Sequence, residues 1–186
     1  DHEKIGDAYA RFERVINSTF ERKGKVIIPV FAVERAQEVL YVINKLYRKG
    51  KINPSRVFVD SPLAINVTEV FKKHSECFDS DMMKFISENQ SPFYMKIVSY
   101  TGDVEESKAI NDYNKPCIIL SATGMCEAGR ILHHLKNNIE NPSNTVMITG
   151  YQAQNTLGRK LVEGEKKVKI FGEEKNVKAG IEVVNE

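Results

Sequence analysis

The sequence predicts an α/β protein built on an open, mainly parallel sheet with helices on both faces. Three observations lead there. Short β-branched runs recur along the chain, several of them followed by a Gly, Pro or Asp. Up to Lys166 such turns open stretches with apolar residues at helical spacing. Strand and helix alternating in this way is what parallel pairing demands, because the chain must return to the starting edge through a crossover.

The elements follow in order. Glu3 to Arg22 places Ile5, Tyr9, Phe12, Val15, Ile16 and Phe20 at helical spacing, so an amphipathic helix opens the chain. KVIIPVF is a buried strand. Glu34 to Arg48 carries Val39, Leu40, Val42, Ile43 and Leu46 in a second helix, which stops near Gly50. RVFVD is the next strand. SPLAINVTEVFKKH begins with Ser61 as N-cap and Pro62 at the first helical position, where the missing N–H of proline costs nothing. Phe78 to Gln90 reads as a short helix, MKIVSY as a strand ending at Tyr100, Thr101 and Gly102, and DVEESKAIND as a helix. KPCIILSATGM is the clearest unit, a strand running into a Ser/Thr/Gly turn, with EAGRILHHLKN as its helix. TVMITGYQAQ and NTLGRKLVEG repeat the theme. From Lys166 onward, VKIFGEE, NVKAG and IEVVNE alternate with a short period and predict a small antiparallel excursion. The whole is Rossmann-like, without internal repeat or low-complexity linker.

A length of 186 residues fits one domain spanning positions 1–186. With 41% hydrophobic and 28% charged residues the composition is that of a globular chain, and a net charge of +2 argues for neither nucleic acid nor membrane. Cys77, Cys117 and Cys126 form no CxxC pair, and an odd number without a secretory signal is expected of reduced thiols in the cytoplasm. No run of about 18 apolar residues predicts a membrane span.

The paired histidines His133 and His134 raise the question of a metal. Adjacent residues on a helix point about 100° apart, so they cannot share an ion unaided. His2 and His74, the other two histidines, are remote in sequence and have no clustered acids. The ligand count that zinc requires favours a structural or surface role for the pair. Cys126 stands near a helix start, where a thiol can be activated. No base is marked beside it, and a small buried cysteine next to Met125 packs as a hydrophobe.

In open parallel sheets ligands gather at the carboxyl ends of the strands, where loops lead into helix N-termini with free N–H groups. Three such ends are polar: Phe31 to Gln37, Ser121 to Gly124, and Gly150 to Thr156. Arg35, Gln37, Ser121, Thr123, Gly124, Tyr151, Gln152, Gln154, Asn155, Thr156 and Arg159 suit a phosphate backbone. Equally, Ser, Thr and Gly make ordinary turns, while Arg35, Arg130 and Arg159 can simply pair with carboxylates. Residue pattern alone leaves the two readings level. Neither GxGxxG after a strand nor GxxxxGK[ST] occurs, which disfavours a dinucleotide or P-loop enzyme.

FAVERAQEVL, VFVDSPLAINVTEVF, SATGMCEAGRILHHL and GYQAQNTLGRKL, in this order and spacing, resemble the β-CASP domain of metallo-β-lactamase-fold RNA-processing nucleases. That family includes RNase J and the cleavage and polyadenylation endonuclease, and the likeness covers essentially the whole chain. In it the β-CASP domain is an insert, and the zinc ligands belong to the host nuclease domain. The resemblance implies an insert domain that lacks the flanking catalytic segments and so holds no zinc, whereas the parent protein is a zinc-dependent ribonuclease. By the same resemblance Ser121, Thr123 and Gly124 match the turn facing the scissile phosphate. Arg35, Tyr151, Gln152, Thr156 and Arg159 match residues lining the same cleft. Glu34, Thr123, Ala128, Gln154 and Asn155 depart from the family pattern, and a carboxylate at Glu34 opposes phosphate contact by Arg35.

The expected partners are single-stranded RNA and the nuclease domain of the parent chain. A second function class is an assembly module that docks on that domain or on a second copy of itself. A third is a small-molecule enzyme using Cys126.

Overall fold

The computed structural model describes residues 5–73, 93 and 95–184. The helix expected over Phe78 to Gln90, and with it His2, His74 and Cys77, lies outside the described residues. The remaining elements appear in the expected order. They are α1 (Ile5–Glu21), β1 (Val26–Pro29), α2 (Arg35–Arg48), β2 (Val57–Asp60), α3 (Pro62–Lys73), β3 (Val98–Tyr100) and α4 (Val104–Ala109), which tightens into a 3₁₀ turn. Next come β4 (Ile118–Ser121), α5 (Arg130–Asn138), β5 (Thr145–Ile148), α6 (Leu157–Val162), β6 (Lys167–Ile170), β7 (Glu173–Asn176) and β8 (Gly180–Val183). Helix α3 starts as its sequence requires, with the Ala64 N–H donating to Ser61 Oγ at 3.2 Å.

The main sheet has six strands in the order β3-β2-β4-β1-β5-β8, every neighbouring pair parallel. Strands β1, β4 and β5 are buried along their whole length, so their sequences read as continuous apolar runs. Successive side chains still go to opposite faces. Val26, Ile28, Ile118, Leu120 and Met147 enter one core, where Phe12 and Ile16 of α1, Leu40 and Ile43 of α2 and Ala64 of α3 cover them. Ile27, Ile119, Val146 and Ile148 enter the other, beneath Ile131 and Leu135 of α5 and Leu157 and Leu161 of α6. Each fully buried aliphatic side chain of this kind contributes about 1.5–3 kcal/mol of transfer free energy.

The antiparallel excursion is smaller than expected. Among the described residues only β6 and β7 are antiparallel, joined across Phe171 and Gly172, whose φ values of 51° and 77° match the two positive angles of a type I′ hairpin. The last piece, IEVVNE, is a correction. Its strand β8 pairs parallel with β5, Val146 opposite Ile181 and Ile148 opposite Val183, and extends the main sheet. Period-two alternation is the same for either pairing. The difference is made by Ile181 and Val183, which pack against the second core.

Candidate functional site

Because all six strands run the same way, their carboxyl ends share one edge of the sheet. The three polar loops follow β4, β1 and β5, which are neighbours in the sheet, and the structure brings them into contact. The Phe31 ring lies so close to Gly124 that a Cβ there would sit 2.7 Å from it. The Gln152 amide donates to the carbonyl oxygens of Gly124 at 3.0 Å and Gly150 at 3.1 Å. The Gly158 N–H donates to Met125 O at 3.1 Å. A side chain at Gly158 would strike Gln152 Oε1, so only glycine allows α6 to start this close to the neighbouring turn.

The eight residues singled out by sequence divide into two groups. Arg35, Thr123, Tyr151, Thr156 and Arg159 reach the surface. Arg35 Nη1 lies 2.9 Å from Glu38 Oε2, and Arg159 Nε lies 2.6 Å from Glu163 Oε1, so both arginines pair with a carboxylate one helical turn away. Tyr151 is 73% exposed. The other group is scaffold. Ser121 is fully buried and donates to the Asp60 carbonyl at 2.9 Å, Gly124 is buried, and both amide hydrogens of Gln152 serve the loop bonds above. Thr156 is an N-cap as well, its hydroxyl accepting from the Arg159 N–H at 3.2 Å.

The free N–H groups expected at the helix starts are largely taken. In α6 the Leu157, Gly158 and Arg159 N–H groups go to Glu127, Met125 and Thr156, and in α5 the Ile131 N–H goes to Ala122 O. Contact with an anion at this edge therefore falls to side chains.

Sequence reasoning passed over the most connected group nearby. Asp60 ends β2 and is fully buried, and three side chains from two helices, α4 and α5, converge on its carboxylate. His134 Nε2 and Ser107 Oγ each lie 2.6 Å from Oδ2, and Arg130 Nη1 lies 2.7 Å from Oδ1. Burial pushes the Asp60 carboxyl up, but the hydrogen bonds from His134, Ser107 and Arg130 outweigh it and hold the group below the usual carboxylate range. An ionised carboxylate can only accept, so His134 donates from Nε2. The signal available in the sequence was an acid closing an otherwise apolar strand, which needs buried partners.

The paired histidines separate as helical geometry requires. His134 is 1% exposed and belongs to Asp60. His133 is exposed and packs against Phe171 of the hairpin, with ring centroids 4.6 Å apart and the planes tilted by 40°. Among the described residues no group of three or more His, Cys, Asp or Glu could hold a metal ion. Asp60 and His134 are only a pair, and both carboxylate oxygens are already occupied, so these residues do not fit a zinc site. No helix among the described residues is long and apolar enough to cross a membrane.

Cys117 and Cys126 are both fully buried, and burial pushes each thiol up to about 12. A thiol that stays protonated is a poor nucleophile, which argues against Cys126 chemistry. Alkylation of the native chain at neutral pH, followed by mass spectrometry, should leave both residues unmodified until denaturant is added. Rapid native labelling of Cys126 would restore it as a candidate.

A family model described as the Beta-Casp domain matches residues 36–161. The chain is 34% identical over 181 residues to a ribonuclease of Thermus thermophilus, an alignment covering 97% of the chain and 41% of that protein. It is 38% identical over 157 residues to an RNase J-like protein of Methanocaldococcus jannaschii, covering 84% and 35% respectively. It is also 33% identical over 169 residues to the transcription termination factor FttA of Methanosarcina mazei, covering 90% and 26%. The chain thus spans between 26% and 41% of the length of these relatives.

Proposed function

The chain belongs to the Beta-Casp family, and we propose that it is the RNA-clamping domain of a zinc-dependent, metallo-β-lactamase-fold ribonuclease that acts in RNA processing. The relatives named as ribonucleases support the nuclease role. The observation that carries the clamp is the packing of the β1, β4 and β5 loops into one edge, where Arg35, Thr123, Tyr151, Thr156 and Arg159 reach solvent together.

The chemistry suits single-stranded RNA. Exposed ion pairs such as Arg35–Glu38 and Arg159–Glu163 are worth about 0–1 kcal/mol, so a phosphate can take either arginine from its carboxylate. The Tyr151 ring offers a base a stacking face, which is worth about 1–3 kcal/mol per base in such sites. Contacts to phosphate carry no sequence information, so specificity is low. Zinc would belong to the nuclease domain, whose chemistry it would supply.

Large apolar side chains also stand exposed just beyond the strand ends: Phe31 and Val33 after β1, Leu63 after β2, Val104 after β3 and Tyr151 after β5. They favour burial of this edge against a neighbouring domain, with RNA held between the two. They equally favour the second reading, in which the domain serves assembly with the nuclease domain or a second copy.

Fluorescence anisotropy of a labelled single-stranded RNA at low and moderate salt, on the chain and on its Arg35→Ala/Arg159→Ala variant, tests the proposal. The expected result is binding that weakens with salt, by a log–log slope of about 0.7 for each phosphate contact, and is lost in the variant. Binding indifferent to salt and to the variant would refute the clamp. No binding by either protein would favour the assembly reading.

A further inference from the structure

We infer that Asp60 is a positioning residue for the cleft turn between β4 and α5, acting through Arg130 and Ser121. The turn, Ala122 to Gly129, is held at both ends by this one residue. At its start, Ser121 Oγ donates to the Asp60 carbonyl at 2.9 Å. At its end, Arg130 Nη1 donates to Asp60 Oδ1 at 2.7 Å. Arg130 then reaches on to the carbonyls of Thr101 at 2.9 Å and Gly102 at 2.8 Å, tying in the end of β3. His134 stands one helical turn after Arg130, so the same face of α5 meets the same carboxylate twice.

The physical content is that one buried anion fixes the entry angle of α5. Apolar packing of Ile131 and Leu135 fixes the depth of that helix but tolerates sliding, whereas charge-assisted hydrogen bonds are directional. Between its two anchors the turn has two backbone bonds of its own, Thr123 N–H to Ala128 O at 3.2 Å and Cys126 N–H to Thr123 O at 3.1 Å, and from the α6 side Gln152, Leu157 and Gly158 brace Gly124, Glu127 and Met125. Releasing the carboxylate anchor at Arg130 should loosen the end of the turn while the strands beneath it, and the Ser121 bond to the Asp60 main-chain carbonyl, remain intact. The consequence for ligand binding rests on the RNA-clamp reading, because Thr123 and Gly124 lie in this turn. The structural part does not.

The test compares the chain with Asp60→Asn, which keeps the side-chain shape, and with Arg130→Gln, a milder change at a partly exposed site. Amide hydrogen exchange and RNA anisotropy are measured on all three. The expected result is exchange at Thr123, Cys126 and Ile131 at least tenfold faster in both variants, with Ile27 and Ile119 still protected, and RNA affinity reduced at least threefold. Turn amides as protected as in the parent chain would overturn the inference. So would protection lost evenly over all strands, which would make Asp60 a general stabiliser. If Asp60→Asn does not fold, Arg130→Gln decides by the same readouts. Faster turn exchange in a chain that never binds RNA would uphold the positioning role and count against the clamp.

Discussion

Asp60→Ala should destabilise the fold by about 3–5 kcal/mol, the cost of removing one partner from a buried, charged hydrogen-bond network. The substitution leaves Arg130, His134 and Ser107 facing a space that has lost its acceptor, at a site closed to water. The effect also has a pH signature. The folded Asp60 carboxyl is held below its unfolded value, so the native state binds fewer protons than the unfolded chain in acid. This contribution is fully present above the unfolded carboxylate pKa of about 3.9 and is lost as pH falls through the depressed native value. Urea titrations of both proteins should therefore show a gap that is widest near neutral pH and narrows below about pH 4. A gap under about 1 kcal/mol at neutral pH would mean the network contributes no more than a surface pair.

Gly129→Ala should be nearly as damaging, and in the turn itself. Gly129 has φ 84° and ψ −169°, a region essentially closed to residues with a Cβ, which costs about 1–3 kcal/mol to occupy. An added Cβ would also lie 2.6 Å from the Ala122 carbonyl oxygen. That oxygen accepts the first bond of α5 from Ile131 and cannot withdraw without breaking it, so overpacking adds a further 1–3 kcal/mol or about that. Gly50 supplies the control. Its φ is also positive, at 66°, but nothing lies within 4 Å of its would-be Cβ, so Gly50→Ala should cost only about 1 kcal/mol. Thermal unfolding of the two variants separates strain alone from strain with collision. Equal shifts would mean that the Ala122 contact relaxes freely.

Much of the architecture was legible because parallel α/β chains state their period openly. Val26 to Pro29 and Ile118 to Ser121 read as doubly buried strands, and α2 and α5 carry one apolar stripe each. The place of β8 was not legible, since Ile181 and Val183 alternate in the same way whether they pair parallel or antiparallel. That polar loops follow β1, β4 and β5 was legible from the residues after each strand, but the direction of each side chain was not. Serine and glutamine look alike in sequence whether they face solvent or brace a loop, and Ser121 and Gln152 brace. Asp60 was missed because its partners lie 47, 70 and 74 positions away, on elements that only the folded sheet brings together.

The claim that RNA is held at the carboxyl edge is tested most directly by mapping where it lands. ¹⁵N-labelled chain titrated with a short single-stranded RNA should show its largest amide shifts at Arg35, Thr123, Gly124, Tyr151, Thr156 and Arg159, all of them shrinking as salt is raised. Shifts concentrated on the β6–β7 hairpin, or at Gly24 and Asn144 on the opposite edge of the sheet, would contradict it.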